Sequence, residues 1–518
     1  MNFGPTFINW VEMLHSGATT CFILNSLTVA IEVNFSIRQG DPLAMLLYVV
    51  YIEPLLRKLE HGLTGLQLRK PCPGMGPLDS YCDDLNIMTN NLHDFAIVDT
   101  EVKNFELLSG AILSRSFKSK VIGFGAWSQK EDWPLNWLSC VKNLKVFGIY
   151  ISDSFNEIMK LNWDHRLQKF RAAILSWSSR MLTTVQQRID VVKTFALSRT
   201  YYVASILPIR SSYVKSFETI IRKFIWKGSF SVMKVALDEL KNKKLKGGLQ
   251  LPCLSTMGRS LLISQCLRLL KYGDRRYVCH LDYWLGTLLS NILPNMGLCL
   301  QATSDNLYFT TLGDYLASIM VSGFLTSENL KDITNKQLYL LFADFPLPKI
   351  VRDNLPNIDY GRVWERLYIG VLSMEERQIL FLLIHNKLPV QERLFRIAYR
   401  NDPYCRACHN AVIADTEHFF CDCILTKDAW IWLRTSWLLL LRVPMTCRNI
   451  DLLTLFFPRG ACVREMVWML GKFVHYVWTT VFTQETAVKV KKLVAYLQSK
   501  FKAERNIMGL SKLDNILG

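Results

Sequence analysis

Apolar positions near the start of the chain recur three and four apart, at Phe7, Trp10, Val11 and Leu14, which predicts an amphipathic helix. The next stretch, "HSGATTCFILNSLTVAIEVNF", is rich in β-branched residues around Asn25 and Ser26 and predicts a hairpin. In "SIRQGDPLAMLLYVVYIEPLLRKLE", Asp41 suits a helix cap and Pro42 the first helical position, so a long helix is expected to start there, with a possible kink at Pro54. "LDSYCDDLNIMT" then shows two short apolar runs flanking an Asp pair, the pattern of strand, tight turn and strand. Phe95, Val98, Val102, Phe105 and Leu108 return to helical spacing, and Gly110 should close that helix.

From about residue 155 the pattern becomes basic and helical. Leu167, Phe170, Ile174 and Trp177 form one stripe among Arg166, Lys169, Arg171 and Arg180, and a second basic helix is expected over 185–205. "KNKKLKGGLQLP" (241–252) reads equally as a solvated lysine loop or as a phosphate contact. Residues 285–360 carry little pattern, and a last helical segment follows from about 361. The Trp residues there, such as Trp430, Trp432, Trp468 and Trp478, sit at helical spacing and read first as core, and His385 in "LLIHNKLPV" reads as a satisfied core histidine.

Composition narrows the class. The 518 residues are 50% hydrophobic and 20% charged, which excludes a disordered polymer and suits several cores. The formal charge of +17, from 61 Lys+Arg against 44 Asp+Glu, favours a polyanionic partner, nucleic acid first, over a neutral metabolite. The apolar runs "LAMLLYVVYI" and "WLLLLRV" fall short of the ~20 residues a bilayer-spanning helix needs, and no leading segment has the pattern of a secretory signal. The expectation is an intracellular protein of nucleus or cytoplasm, with no membrane partner.

Most of the 14 Cys are scattered, as reduced thiols are, but four are not. "YCRACHNAVIADTEHFFCDC" places Cys405 and Cys408 two residues apart, then His418 after nine, then Cys423 after four more. C-x2-C followed by H-x4-C supplies four donors for tetrahedral Zn2+, with Cys421 a rival for the fourth place and His409 a solvated neighbour. Four protein donors leave no open position, so such a site is structural.

The Asp pair, Asp83 and Asp84, admits a bland reading, because Asp is favoured in turns. The company it keeps points elsewhere. Nucleotidyl transfer to a growing strand uses two divalent ions about 4 Å apart, held by carboxylates from more than one segment. About 40 residues upstream stands "RQGDPLA", in which Gly40 would let backbone approach a base pair closely while Arg38 and Gln39 serve phosphate or base edges.

At these residues the chain resembles the reverse transcriptases of non-LTR (LINE-type) retrotransposons. "FGPTFINWVEMLHSGATTCFILN" looks like their entry from fingers to palm, "IRQGDPLAMLLYVVYIEPL" is similar to their RQGDPLSPLLF…EPL block, and "SYCDD" to their aromatic-x-Asp-Asp metal motif. "ELLSGAILSRSFKSK" resembles the block with SG, Asn and a lysine, "LKVFGIYI" the KYLGI strand that supports the primer, and "FIWKG…KGGLQLP" the region after the thumb. The Cys/His cluster resembles the zinc-binding segment appended to many such polymerases.

The resemblance implies an α+β fold: a partial right-hand palm over 1–150, a helical basic thumb and connector over 151–360, and a helical domain over 361–518 with a zinc knuckle at about 405–423. It implies an RNA-directed DNA polymerase that takes an RNA template, a DNA primer or target and dNTPs with Mg2+, within a ribonucleoprotein. Asp83 would be a magnesium ligand, Asp84 a second carboxylate, and Tyr81 a primer-side neighbour. Arg38, Gln39 and Gly40 would line the template and nucleotide pocket, and Lys118 or Lys120 would stand near the triphosphate. Ser36, Ala44 and Cys82 depart mildly from the usual Gly, Ser and Ala. The family's first metal-binding aspartate lies on a strand just before the "FGPTFINW" helix, where the given sequence opens. The expectation is therefore a catalytically incomplete polypeptide, inactive or nearly so alone. The alternatives are a nucleic-acid-binding remnant without polymerase activity, or a decayed element fragment.

Overall fold

A computed structural model of the chain describes residues 3–23, 27–32, 41–66, 76–81, 84–115, 118–273, 275–290, 307–324, 333–349, 359–408, 411–442, 447–457, 462–482 and 486–518. Arg38, Gln39, Gly40, Cys82, Asp83 and His409 lie outside them. The described residues are mostly helical, with four two-stranded sheets, which is compatible with α+β. They divide into two compact units, Met1–Ile158 with Tyr272–Thr303, and Met159–Lys271 with Ser304–Gly518.

In the first unit, the Pro5–His15 helix forms as its periodicity predicts, yet none of its residues is buried and Trp10 is 60% exposed. Thr19–Thr20 pairs antiparallel with Ile31–Glu32 and Ile23 bridges Leu27, as the expected hairpin requires, while its turn at Asn25 and Ser26 lies outside the described residues. The long helix runs Ala44–Gly62. It starts later than Asp41 and Pro42 suggest, because those residues make a turn of their own. The Asp41 carboxylate accepts the Leu43 N–H at 2.8 Å and its carbonyl accepts the Ala44 N–H. The Asp94–Ser109 helix ends on Gly110, whose φ of +72° needs no Cβ relief.

Leu55 and Leu59 of the long helix and Leu63 just past its end pack on Val98 and Val102 of the Asp94 helix, and Leu78, Leu85 and Ile87 of the hairpin Leu78–Tyr81/Asp84–Ile87 close the same core. Buried Asp94 ties the loops around it: it accepts from the Thr64 hydroxyl at 2.7 Å and from the hydroxyl of Thr89. A second hairpin, Leu144–Val146 with Ile149–Ile151, turns through Phe147 and Gly148, both at positive φ. Such a turn matches the twist of the strands.

In the second unit, Met159, Trp163, Phe170 and Ile174 are the buried stripe of helix Phe155–Ser178. Phe170 meets Phe217 of helix Ser211–Ile225 edge to face, and the Trp163 indole N–H donates to the Pro208 carbonyl at 3.0 Å. The expected basic helix over 185–205 is continuous but contains a π-helical stretch, Val192–Leu197, between Val185–Val191 and Ser198–Ala204. Toward the C-terminus, helix Met374–Ile384 packs on Val463–Val477, with Val490–Met508 alongside. Trp430, Trp468 and Trp478 are buried there, as their spacing suggests, whereas Trp432 is half-buried; His385 is buried too, and its Nε2–H donates to the Gly247 carbonyl at 2.9 Å.

Candidate metal centre and carboxylate hairpin

The cysteine segment begins as a small knuckle. Tyr404 bridges Ile413 antiparallel, the Cys405 N–H donates to the Val412 carbonyl at 2.8 Å, and the Ala414 N–H donates to that of Pro403 at 2.9 Å. This turn carries Cys405 and Cys408. The other half is helical: the Asp415 carboxylate caps it by accepting the His418 N–H at 2.7 Å, and His418–Asp422 then winds as a π-helical turn. The Cys423 N–H closes that turn on the His418 carbonyl at 2.8 Å. In a turn closed over five residues, the first and sixth side chains share a face, which an ordinary α-turn would splay apart.

The two halves bring the donor atoms of Cys405, Cys408, His418 and Cys423 all within 4.8 Å of one another. Cys405 Sγ and Cys423 Sγ are 3.7 Å apart, Cys408 Sγ and Cys423 Sγ 4.0 Å, and Cys408 Sγ and His418 Nε2 3.6 Å. Ligands at zinc's usual bond lengths of about 2.3 Å to sulfur and about 2.0 Å to nitrogen would lie about 3.8 Å (S to S) and about 3.5 Å (S to N) apart around a tetrahedral ion. The set therefore fits Zn2+, and the sulfurs are much too far apart for a disulfide. Burial pushes the Cys423 thiol up to about 12, and the neighbouring sulfurs of Cys405 and Cys408 add to the effect.

Cys421, the rival for the fourth place, is buried and stands outside this set. Burial raises its thiol further still, and Asp422 and Glu417 push the same way. Asp415 was not singled out from the sequence. An acidic residue three positions before His418 is the signal of a cap, and it would have marked the helical half of the knuckle.

The Asp84 hairpin is the second candidate. Its core-facing residues Leu78, Leu85 and Ile87 leave Tyr81 and Asp84 opposite each other at the exposed tip, Tyr81 at 69% exposure. The Tyr81 ring meets that of Phe147 edge to face at 6.2 Å, so the tip of this hairpin touches the turn of the "LKVFGIYI" hairpin. Lys118 and Lys120 are exposed, Lys120 on a two-residue strand beside Ser139–Cys140, and no contact among the described residues joins either to Asp84. Asp84 belongs to no group of three or more metal-capable side chains among the described residues. Asp83 lies outside those residues, as do Arg38, Gln39 and Gly40.

In the lysine cluster, Lys243 and Lys246 are exposed as a solvated loop requires, whereas Lys241 fits neither reading offered above. The Lys241 ammonium is internal, 2.7 Å from both Glu218 and Asp238, while Lys243 and Lys246 are exposed and Lys244 lies 5.3 Å from the Tyr368 ring. Gly247, at φ +81°, sits where a Cβ would press on Trp364 and Pro348, so this glycine is a packing requirement.

No described helix is long and apolar enough to cross a membrane. A family model for the zinc-binding segment in reverse transcriptase matches residues 358–430, which contain the whole knuckle. The chain is also 27% identical over 289 residues to the Transposon TX1 uncharacterized 149 kDa protein of Xenopus laevis. That match covers 53% of this chain and 21% of the relative, so the chain spans about a fifth of the relative's length. A reverse-transcriptase zinc-binding segment and a transposon relative over half the chain relate this protein to the reverse transcriptases of non-LTR retrotransposons.

Proposed function

We propose that the chain is the nucleic-acid-binding, polymerase-derived part of a LINE-type reverse transcriptase, with 1–150 contributing palm, 151–360 as thumb and connector and 361–518 as the zinc-knuckle domain. The observation that carries this reading is the convergence of Cys405, Cys408, His418 and Cys423 inside the segment matched to the reverse-transcriptase family. Zn2+ held there pins the turn to the helical half of the knuckle, and four protein donors leave it no open position for chemistry.

In this proposal Asp83 and Asp84 supply one side of a Mg2+ site, and Tyr81 lies on the primer side, which its contact with Phe147 supports. Arg38, Gln39 and Gly40 line the template and nucleotide pocket, and Lys118 or Lys120 approaches the triphosphate. A two-metal site takes carboxylates from more than one segment, of which this hairpin is one. The proposal is therefore that the polypeptide holds RNA template and DNA primer, with this hairpin supplying one of the carboxylate segments.

Primer extension with the purified chain, Mg2+ and dNTPs, beside Asp83→Asn and Asp84→Asn variants, tests this. The expected result is a retained template–primer, with any extension that the parent supports lost in both variants. Extension that persists undiminished in the variants would overturn the carboxylate assignment. A chain that fails to retain the template–primer would overturn the reading as a whole.

A further inference from the structure

Beside the knuckle, eight consecutive residues, Phe395–Asp402, are exposed. Single exposed apolar residues are ordinary on any surface, but here rings and guanidinium groups interleave: Phe395 with Arg396, Tyr399 with Arg400, Tyr404 with Arg406. Phe395 is 46% exposed, Tyr399 65% and Tyr404 45%.

These rings stand on fixed backbone. Helix Gln391–Arg396 ends in a turn in which the Ala398 N–H donates to the Phe395 carbonyl and the Tyr399 N–H to that of Leu394 at 2.8 Å, with Ala398 at φ +54°. The Gln391 side chain donates to the Asp402 carbonyl at 3.1 Å, the Glu392 N–H donates to that of Ala414, and Tyr404 is held in the knuckle bridge to Ile413. The helix, the exposed run and the knuckle are thus one surface. Arg396 is bonded to Glu392, whereas Arg400 and Arg406 have no hydrogen bond or ion pair among the described residues.

We propose that this surface, with Tyr399 and Tyr404 as stacking platforms and Arg400 and Arg406 as phosphate contacts, is a docking site for single-stranded RNA. Charge complementarity decides for a polyanion, and exposed rings beside cations decide for unpaired bases, whose faces a duplex conceals. RNA rather than DNA follows from the function proposed above, on which this inference rests: the template there is RNA and is single-stranded until copied.

The test is fluorescence anisotropy with the full chain and a labelled unstructured 20-nucleotide RNA, with DNA of the same sequence and a duplex RNA as comparison ligands. The Tyr399→Ala/Tyr404→Ala variant is expected to bind the single strand about 10- to 100-fold more weakly, and Tyr399→Phe/Tyr404→Phe to stay within about twofold of the parent. Arg400→Gln/Arg406→Gln, whose side chains are exposed, is expected to lower the slope of log affinity against log salt by about 1.4. Zinc content and circular dichroism report whether each variant folds. Binding by the parent with no change in the alanine and glutamine variants overturns this site and leaves the proposed function standing. Equal or tighter binding of the duplex or of DNA overturns the assignment to single-stranded RNA. Failure of the parent chain to bind any of the three removes the proposed function and this site together.

Discussion

Cys421 and Cys423 are two positions apart, yet the π-helical turn sends one into the core and the other to the donor cluster. Cys423→Ser should therefore lose bound zinc, while Cys421→Ser should keep it, as metal analysis of the purified variants would show. The spacing alone left both open, because either sulfur suits H-x2–4-C; the winding of the turn separates them. A second residue-scale feature had no sequence signal at all. Lys472 is 2% exposed and its ammonium lies 2.9 Å from both Glu376 and Glu504, from helices far apart in the chain. Lys472→Met would strand a buried Glu376 carboxylate and should cost about 3–5 kcal/mol in denaturant unfolding.

His385 sets a pH dependence. Burial lowers it to about 4, and Lys387 pushes the same way against the pull of the Gly247 carbonyl. The unfolded chain takes up this proton near pH 6.5 and the folded chain only near 4. Stability from His385 is therefore full above about pH 6.5 and falls by roughly 1.4 kcal/mol per pH unit on acidification toward 4. Denaturant midpoints between pH 7 and 5 should fall in the parent and fall less in His385→Gln.

Among the elements, those with a strong local signal were legible. The Asp94–Ser109 helix with its Gly110 stop, the Asp84 hairpin and helix Phe155–Ser178 could all be read from periodicity and turn residues. The start at Ala44 could not, because Asp41 and Pro42 suit a helix entrance and an isolated turn equally well. The π-helical stretches at Val192–Leu197 and His418–Asp422 leave no trace in an apolar stripe, since one extra residue per turn is a matter of tertiary packing. Ala398 occupies a left-handed position that usually falls to glycine. Ala398→Gly should stabilise the end of its helix by about 1 kcal/mol, measurable as a raised thermal midpoint, without changing zinc content.

At the scale of the whole chain, net charge and the knuckle point the same way. An excess of +17 favours a polyanion, and the chain is similar to a zinc-binding segment in reverse transcriptase and to a transposon protein. What could not be read from the sequence was the surface beside the knuckle, because exposed rings and buried rings look alike until packing sorts them. Retention of RNA across a salt series by the zinc-loaded chain is the most direct test of the central claim. The account predicts binding at low salt that weakens steeply and linearly in log salt, as counterion release requires. An absence of RNA binding even at about 50 mM salt, by a folded chain with its zinc in place, would contradict it.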